Sequence, residues 1–163
     1  MHYRAAADNV LAHHWDGAIP VDVESIATHI GAVVLREPLR GNSGEVEIVD
    51  GTPVIRVDEA DGHTRQRFTI AHELGHLMLD HVSVGKMLRD PSKNYTLGNF
   101  DPKERDANYF ASALLMPDDA VLAYVNGMTR PDISSLAQAF DVSPAAMGIK
   151  LKLLGIIPSW ATV

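Results

Sequence analysis

His72, Glu73 and His76 are the residues whose types and spacing point most directly to chemistry. They form a His-Glu-x-x-His motif. On an α-helix, positions i and i+4 lie on one face, one turn apart. Two imidazole nitrogens at that spacing can share one metal ion. A glutamate directly after the first histidine sits beside that face and can reach a water on the same metal. Two ligands, one general base and an open coordination position make the arrangement of a zinc hydrolase. The expected chemistry is hydrolysis by an activated water, with Glu73 carrying the proton. The competing reading is a buried helix with two incidental histidines, in a chain that holds eight.

A helix must present this motif, and the flanking residues favour one. Ile70, Leu74, Leu77 and Met78 recur near helical spacing and are expected to face a core. Gly75 weakens such a helix by roughly 1 kcal/mol relative to alanine. A residue without Cβ between the two histidines implies that another segment packs closely against that turn. The helix is expected to run from Thr64, as N-cap, to about His81.

Composition narrows the class. The 163 residues suit one domain with a real core, and 46% apolar and 21% charged residues are ordinary for a soluble globular protein. There is no cysteine, so any zinc must be held by histidine and carboxylate. That composition fits a cytoplasmic protein. The N-terminal residues lack the apolar core of a signal peptide. No apolar run approaches the ~18 residues that a membrane span needs. A formal net charge of −7 argues against broad adhesion to nucleic acid or anionic membrane.

Around the motif the pattern predicts a mostly helical α+β domain over residues 1–163, with a small antiparallel or mixed sheet of about three strands. Residues Tyr3 to Trp15 read as a helix. Val21 to Ile30 reads as another, with Asp22 as N-cap and Gly31 past its end. Ala32 to Arg36 is a β-branched run. Pro38 to Gly44 reads as a flexible segment. Glu45 to Val49 and Val54 to Val57 flank Asp50-Gly51, a hairpin signature. Val82 to Phe100 reads as a long connection beside the cleft, or simply as a surface loop. Asp101 caps a second strong helix, with Pro102 at N1 and Pro117 marking its end.

A catalytic zinc site needs a third protein ligand. The metzincin spacing fails, because Leu79 and Val82 stand where that pattern has glycine and histidine. His81 follows His76 by five residues and would lie on nearly the opposite side of the helix; it reads as a C-terminal residue favoured by the helix dipole. Glu104 can complete a His-His-Glu set, with Asn108 one turn on to orient an imidazole and Ala107 and Ala111 small enough for close approach. Alternatively Glu104 merely closes a capping box at N3, and Asp106 is the fallback ligand.

Arg67-Phe68-Thr69-Ile70-Ala71-His72-Glu73-Leu74-Gly75-His76, then Glu104-Arg105-Asp106-Ala107-Asn108-Tyr109-Phe110-Ala111 and Leu114-Leu115-Met116-Pro117, resembles the ImmA/IrrE family of zinc metallopeptidases. Both motifs match in order, and the likeness runs from about Val21 to about Pro158. The resemblance implies a gluzincin-like site with Glu104 as third zinc ligand, and an α+β peptidase domain with a zincin-like helix. It also implies a helix-turn-helix, XRE-type repressor as protein substrate, in a phage, mobile-element, stress-response or toxin–antitoxin setting. Some IrrE-type members carry a further C-terminal sensor-like domain, for which this chain is too short.

Three matters stay open at this point. Tyr109, Tyr95 and His63 are candidates to polarise the substrate carbonyl. An edge of the Glu45–Val57 hairpin is a candidate to hold an extended substrate by strand addition. The two short helices expected within 132–155, with Ser143 and Pro144 opening the second, resemble a helix-turn-helix. They offer only Lys150 and Lys152 to a phosphate backbone, so packing on the domain or docking a partner is favoured over DNA binding. The competing function is a non-proteolytic metal-binding protein that sequesters a repressor. An intact Glu73 favours the enzyme, because a structural site has no use for a base.

Overall fold

Capping and turn residues set the boundaries of most elements. The computed structural model describes residues 2–82, 88–91, 101–128 and 130–160. Helix α1 (His2–His14) is followed by α2 (Val23–Ile30), whose N-cap Asp22 accepts from Ser25 N and whose end is turned by Gly31 at φ 89°. Strands β1 (Val33–Glu37), β2 (Asn42–Val49) and β3 (Thr52–Asp58) come next. Asp50 and Gly51 both adopt positive φ, the backbone of a type I′ turn, and close β2 onto β3 in antiparallel register from Val49 opposite Thr52. Pro53 falls opposite Ile48 in this ladder.

The long helix α3 (His63–Met78) follows, then the short strand β4 (Leu88–Pro91) and α4 (Pro102–Leu115), capped by Asp101. Helices α5 (Asp118–Val125), α6 (Ile133–Phe140) and α7 (Pro144–Leu153) complete the chain. Helix α3 opens on Gly62 without a side-chain cap, so Thr64 lies inside the first turn instead of capping it.

Among the described residues the sheet is mixed and runs β1-β3-β2-β4, with β1 parallel to β3 and the other pairs antiparallel. The expected three strands are its body. The fourth lies within the stretch read as a connection and pairs with Asn42–Val46 of β2. This corrects the strand-addition idea: both hairpin strands are interior, and the outer edges belong to β1 and β4. It also corrects the flexible segment, because Asn42, Ser43 and Gly44 belong to β2.

Helix α3 lies between the sheet and α4, and its Ile70, Ala71 and Leu74 are fully buried in one contiguous core. Arg67 anchors its first half. The guanidinium donates to Val21 O at 2.8 Å and Asp141 O at 3.1 Å, tying α3 to the entry of α2 and the α6–α7 turn. Helices α6 and α7 contribute Leu136, Ala137, Phe140, Met147 and Leu151 to the same core. Lys150 is 5% exposed and bonds Asp118, so one of the two lysines proposed for a phosphate contact is sequestered.

Candidate metal centre

Close approach of α3 and α4 creates the centre. A Cβ on Gly75 would meet Ala107 Cα and O at 3.2 Å and Phe110 Cδ1 at 3.1 Å, tighter than ordinary van der Waals contact. Glycine on one helix and Ala107 and Ala111 on the other allow the approach. The turn holding His72 and His76 then faces the N-terminal turn of α4, where Glu104 stands.

One donor atom from each of His72, His76 and Glu104 lies within 4.8 Å of the others. His72 Nε2 and His76 Nε2 are 3.0 Å apart. Glu104 Oε2 is 3.2 Å from His72 Nε2, and its Oε1 is 3.4 Å from His76 Nε2. Zinc–nitrogen bonds of roughly 2.0–2.1 Å put donors at tetrahedral corners about 3.3 Å apart, so the set has the size of a zinc site. Both histidines are buried.

The hydrogen bonds set the direction of the donors. Asn108 Oδ1 can only accept, and it lies 3.0 Å from His72 Nδ1. The proton therefore sits on Nδ1, and the Nε2 lone pair faces the Glu104 carboxylate. Two acceptors at that distance repel unless a proton or metal cation lies between them. Burial opposes ionisation of Glu104; a proton on the His72 and His76 nitrogens that face it, the alternative to a metal cation, outweighs burial and holds the carboxyl well below the usual carboxylate range. The donor set fits a divalent metal of borderline softness.

Glu104 does not close a capping box; its carboxylate turns to the histidines. Asp106 points elsewhere, with Oδ2 3.6 Å from His2 Nε2. Glu73 is 1% exposed, and its carboxylate packs against β2. A Cβ on Gly44 would overlap Glu73 Oε1 and Thr69 Cγ2. Gly44 was hidden in the sequence among turn-forming residues; the available signal was a glycine beside a strand pattern, which often marks close backbone approach.

The candidate electrophiles lie elsewhere or beyond description. Tyr109 stacks on Tyr3 with ring centres 5.0 Å apart, on the far side of α4. His63 Nε2 pairs with Asp141 Oδ2 at 2.6 Å, at the start of α3. Tyr95 falls outside the described residues. His81 does not join the three donors. Its Nδ1 lies 3.0 Å from His76 Nδ1, on the outer side of that ring. Burial, with His76 and Lys103, pushes His81 below its ordinary value against the pull of Asp106 and Glu104.

Comparison with known proteins now decides the family. The model of the IrrE N-terminal-like domain, peptidase M78, matches residues 27–152. The chain belongs to the IrrE N-terminal-like domain family. The M78 peptidases are a metallopeptidase family, and the His72, His76 and Glu104 group is one that can hold a metal ion. No curated protein matches the chain. Among solved structures, a Mycobacterium tuberculosis transcriptional regulator is similar, with a TM-score of 0.65 and 19% identity over 100% of this chain and 50% of that one. The chain thus spans half the length of that protein, and the likeness is one of fold. Among the described residues no helix is long and apolar enough to cross a membrane.

Proposed function

We propose that this M78 domain is a zinc-dependent endopeptidase of narrow specificity, whose substrate is a helix-turn-helix repressor of the XRE type. The observation that carries the reading is the convergence of His72, His76 and Glu104 at tetrahedral spacing, with a buried glutamate directly after the first of them. His72, His76 and Glu104 are the proposed ligands and Glu73 the proposed base. When bound, zinc supplies an acidified water and a positive charge beside the scissile carbonyl.

The chain's own residues do the rest. Glu73 takes the proton of the attacking water and returns one to the leaving amine nitrogen. Gly44 leaves room for the Glu73 carboxylate beneath β2. Asn108 holds the proton of His72 on Nδ1, keeping Nε2 free as an electron-pair donor. Burial excludes bulk water and strengthens each of these interactions.

The test uses the full chain, zinc-loaded or chelated, with the helix-turn-helix repressor encoded beside its gene. Cleavage is read by mass spectrometry. Glu73→Gln should keep zinc and lose about 10²–10⁴ in rate. Full proteolysis by that variant would remove Glu73 as the base. An intact repressor that binds the zinc-loaded protein would instead favour sequestration.

A further inference from the structure

The ring of His76 presents Nε2 to the centre, so something else must settle its Nδ1. For His72 that partner is Asn108 on α4. For His76 it is His81, with Nδ1 to Nδ1 at 3.0 Å and ring centres 5.1 Å apart at 62°. We propose that His81 is a positioning residue of the metal centre: it fixes the ring of His76 and accepts a hydrogen bond from the Nδ1–H of that ring when Nε2 is given to a metal ion. The inference rests on the metal-centre reading and extends it.

The backbone makes this contact unavoidable. Helix α3 ends at Met78 with Leu79 as C-cap. Asp80 turns into the left-handed region at φ 56°. His81 N then donates to His76 O at 2.9 Å, and Asp80 N to Leu77 O at 3.3 Å. These are the two bonds of a Schellman closure, in which the residue two past the cap folds back over the residue three before it. An apolar contact usually joins those two positions. Here both are histidines. A straight-helix reading puts His81 opposite His76; the left-handed Asp80 brings it back.

The chemistry explains why an imidazole suits position 81. The His76 side chain is 2% exposed, so an Nδ1–H without an acceptor would carry a desolvation cost. An aliphatic or phenyl group at 81 keeps the packing and loses the acceptor. Imidazole serves either arrangement: His81 Nδ1 accepts when His76 Nε2 binds metal, and donates when His76 Nε2 carries the proton.

The test is zinc affinity of the full chain, measured by competition with a chromophoric chelator, alongside nitrogen-15 NMR of the His76 ring. His81→Phe keeps an apolar closure of the turn and should weaken zinc by about 10–100-fold, as lost outer partners typically do. His81→Gln restores an acceptor and should recover most of that loss. Wild type on zinc should show His76 protonated at Nδ1. Wild-type affinity in His81→Phe, or equal losses in the Phe and Gln variants, would overturn the role of His81 while leaving the metal centre standing. Failure of the wild type itself to bind zinc would overturn the metal centre and this inference with it.

Discussion

Helix α4 separates two clusters of polar groups, each built around buried side chains, and they differ in one respect. On the side facing α1 and α7, Tyr109 and Ser112 line a cavity of 220 Å³ together with Arg4, Asp118 and Lys150. Lys150 Nζ bonds Asp118 Oδ1 at 2.5 Å, and Arg4 pairs with the other oxygen of that carboxylate. Cations and anion answer each other there. On the side facing α3, His72, His76 and Glu104 offer electron pairs to one another across 3.0–3.4 Å. Lys150 on one side and the two histidines on the other are alike in being buried. The balance of donors and acceptors is what marks one cluster as a place for a metal cation and the other as part of the scaffold.

The sharpest way to break this contrast is Glu104→Ala. Zinc affinity should fall by well over the roughly 10–100-fold that outer partners contribute, and proteolysis should end with it. Ser112→Ala, just over two turns on and lining the cavity beside Lys150, should leave both unchanged. Zinc binding at wild-type strength in E104A, read by chelator competition, would mean that α4 carries no ligand.

Gly44→Ala comes next. The added methyl overlaps the Glu73 carboxylate, so the proposed base should move while the three proposed ligands keep their places. Proteolysis should drop by about 10² or more, approaching removal of the base, with zinc affinity within a few-fold of wild type. Unchanged turnover would show that the β2 backbone does not set the position of Glu73.

Gly75→Val is smaller in energy and broader in consequence. Its Cβ alone would meet Ala107 backbone and Phe110 at 3.1–3.2 Å, and overpacking of this kind costs about 1–3 kcal/mol. The melting temperature should fall, and zinc affinity with it, because α4 carries Glu104. Loss of stability with intact zinc affinity would uncouple the helix pair from the centre.

The residues of the centre and its supports differ in how far local sequence foretells them. His72, His76 and Gly75 were legible because helical spacing converts sequence distance into geometry. Asp22, Gly31, Asp101 and the Asp50-Gly51 turn were legible because caps and turns are local. Glu104 needed pairing of two helices distant in sequence, and only the family resemblance chose it over a capping box. Gly44 and His81 were misread for one reason. Both depend on where the chain bends: β2 begins among residues that favour turns, and Asp80 leaves the helix in a left-handed conformation that no periodicity signals. Strand β4 was missed because its partner lies across the whole of α3.

The smallest effect probes the scaffold cluster through Lys150→Met. Burial and the neighbouring Arg4 guanidinium push Lys150 down to about 8, with Asp8 pulling the other way, while the bond to Asp118 favours the ammonium. A base lowered on folding holds its proton less tightly in the native state than in the unfolded chain. The unfolded chain therefore binds more protons at this site between about pH 8 and the ordinary lysine range, and wild-type stability should rise with pH across that window. K150M should lack that rise, keep the Arg4–Asp118 pair, and bind zinc as wild type does. Denaturant titrations at several pH values measure it. Parallel stability profiles for the two proteins would mean that Asp118 compensates the buried ammonium in full. Weakened zinc binding in K150M would be the more telling failure, since it would join across α4 the two clusters that the helix holds apart.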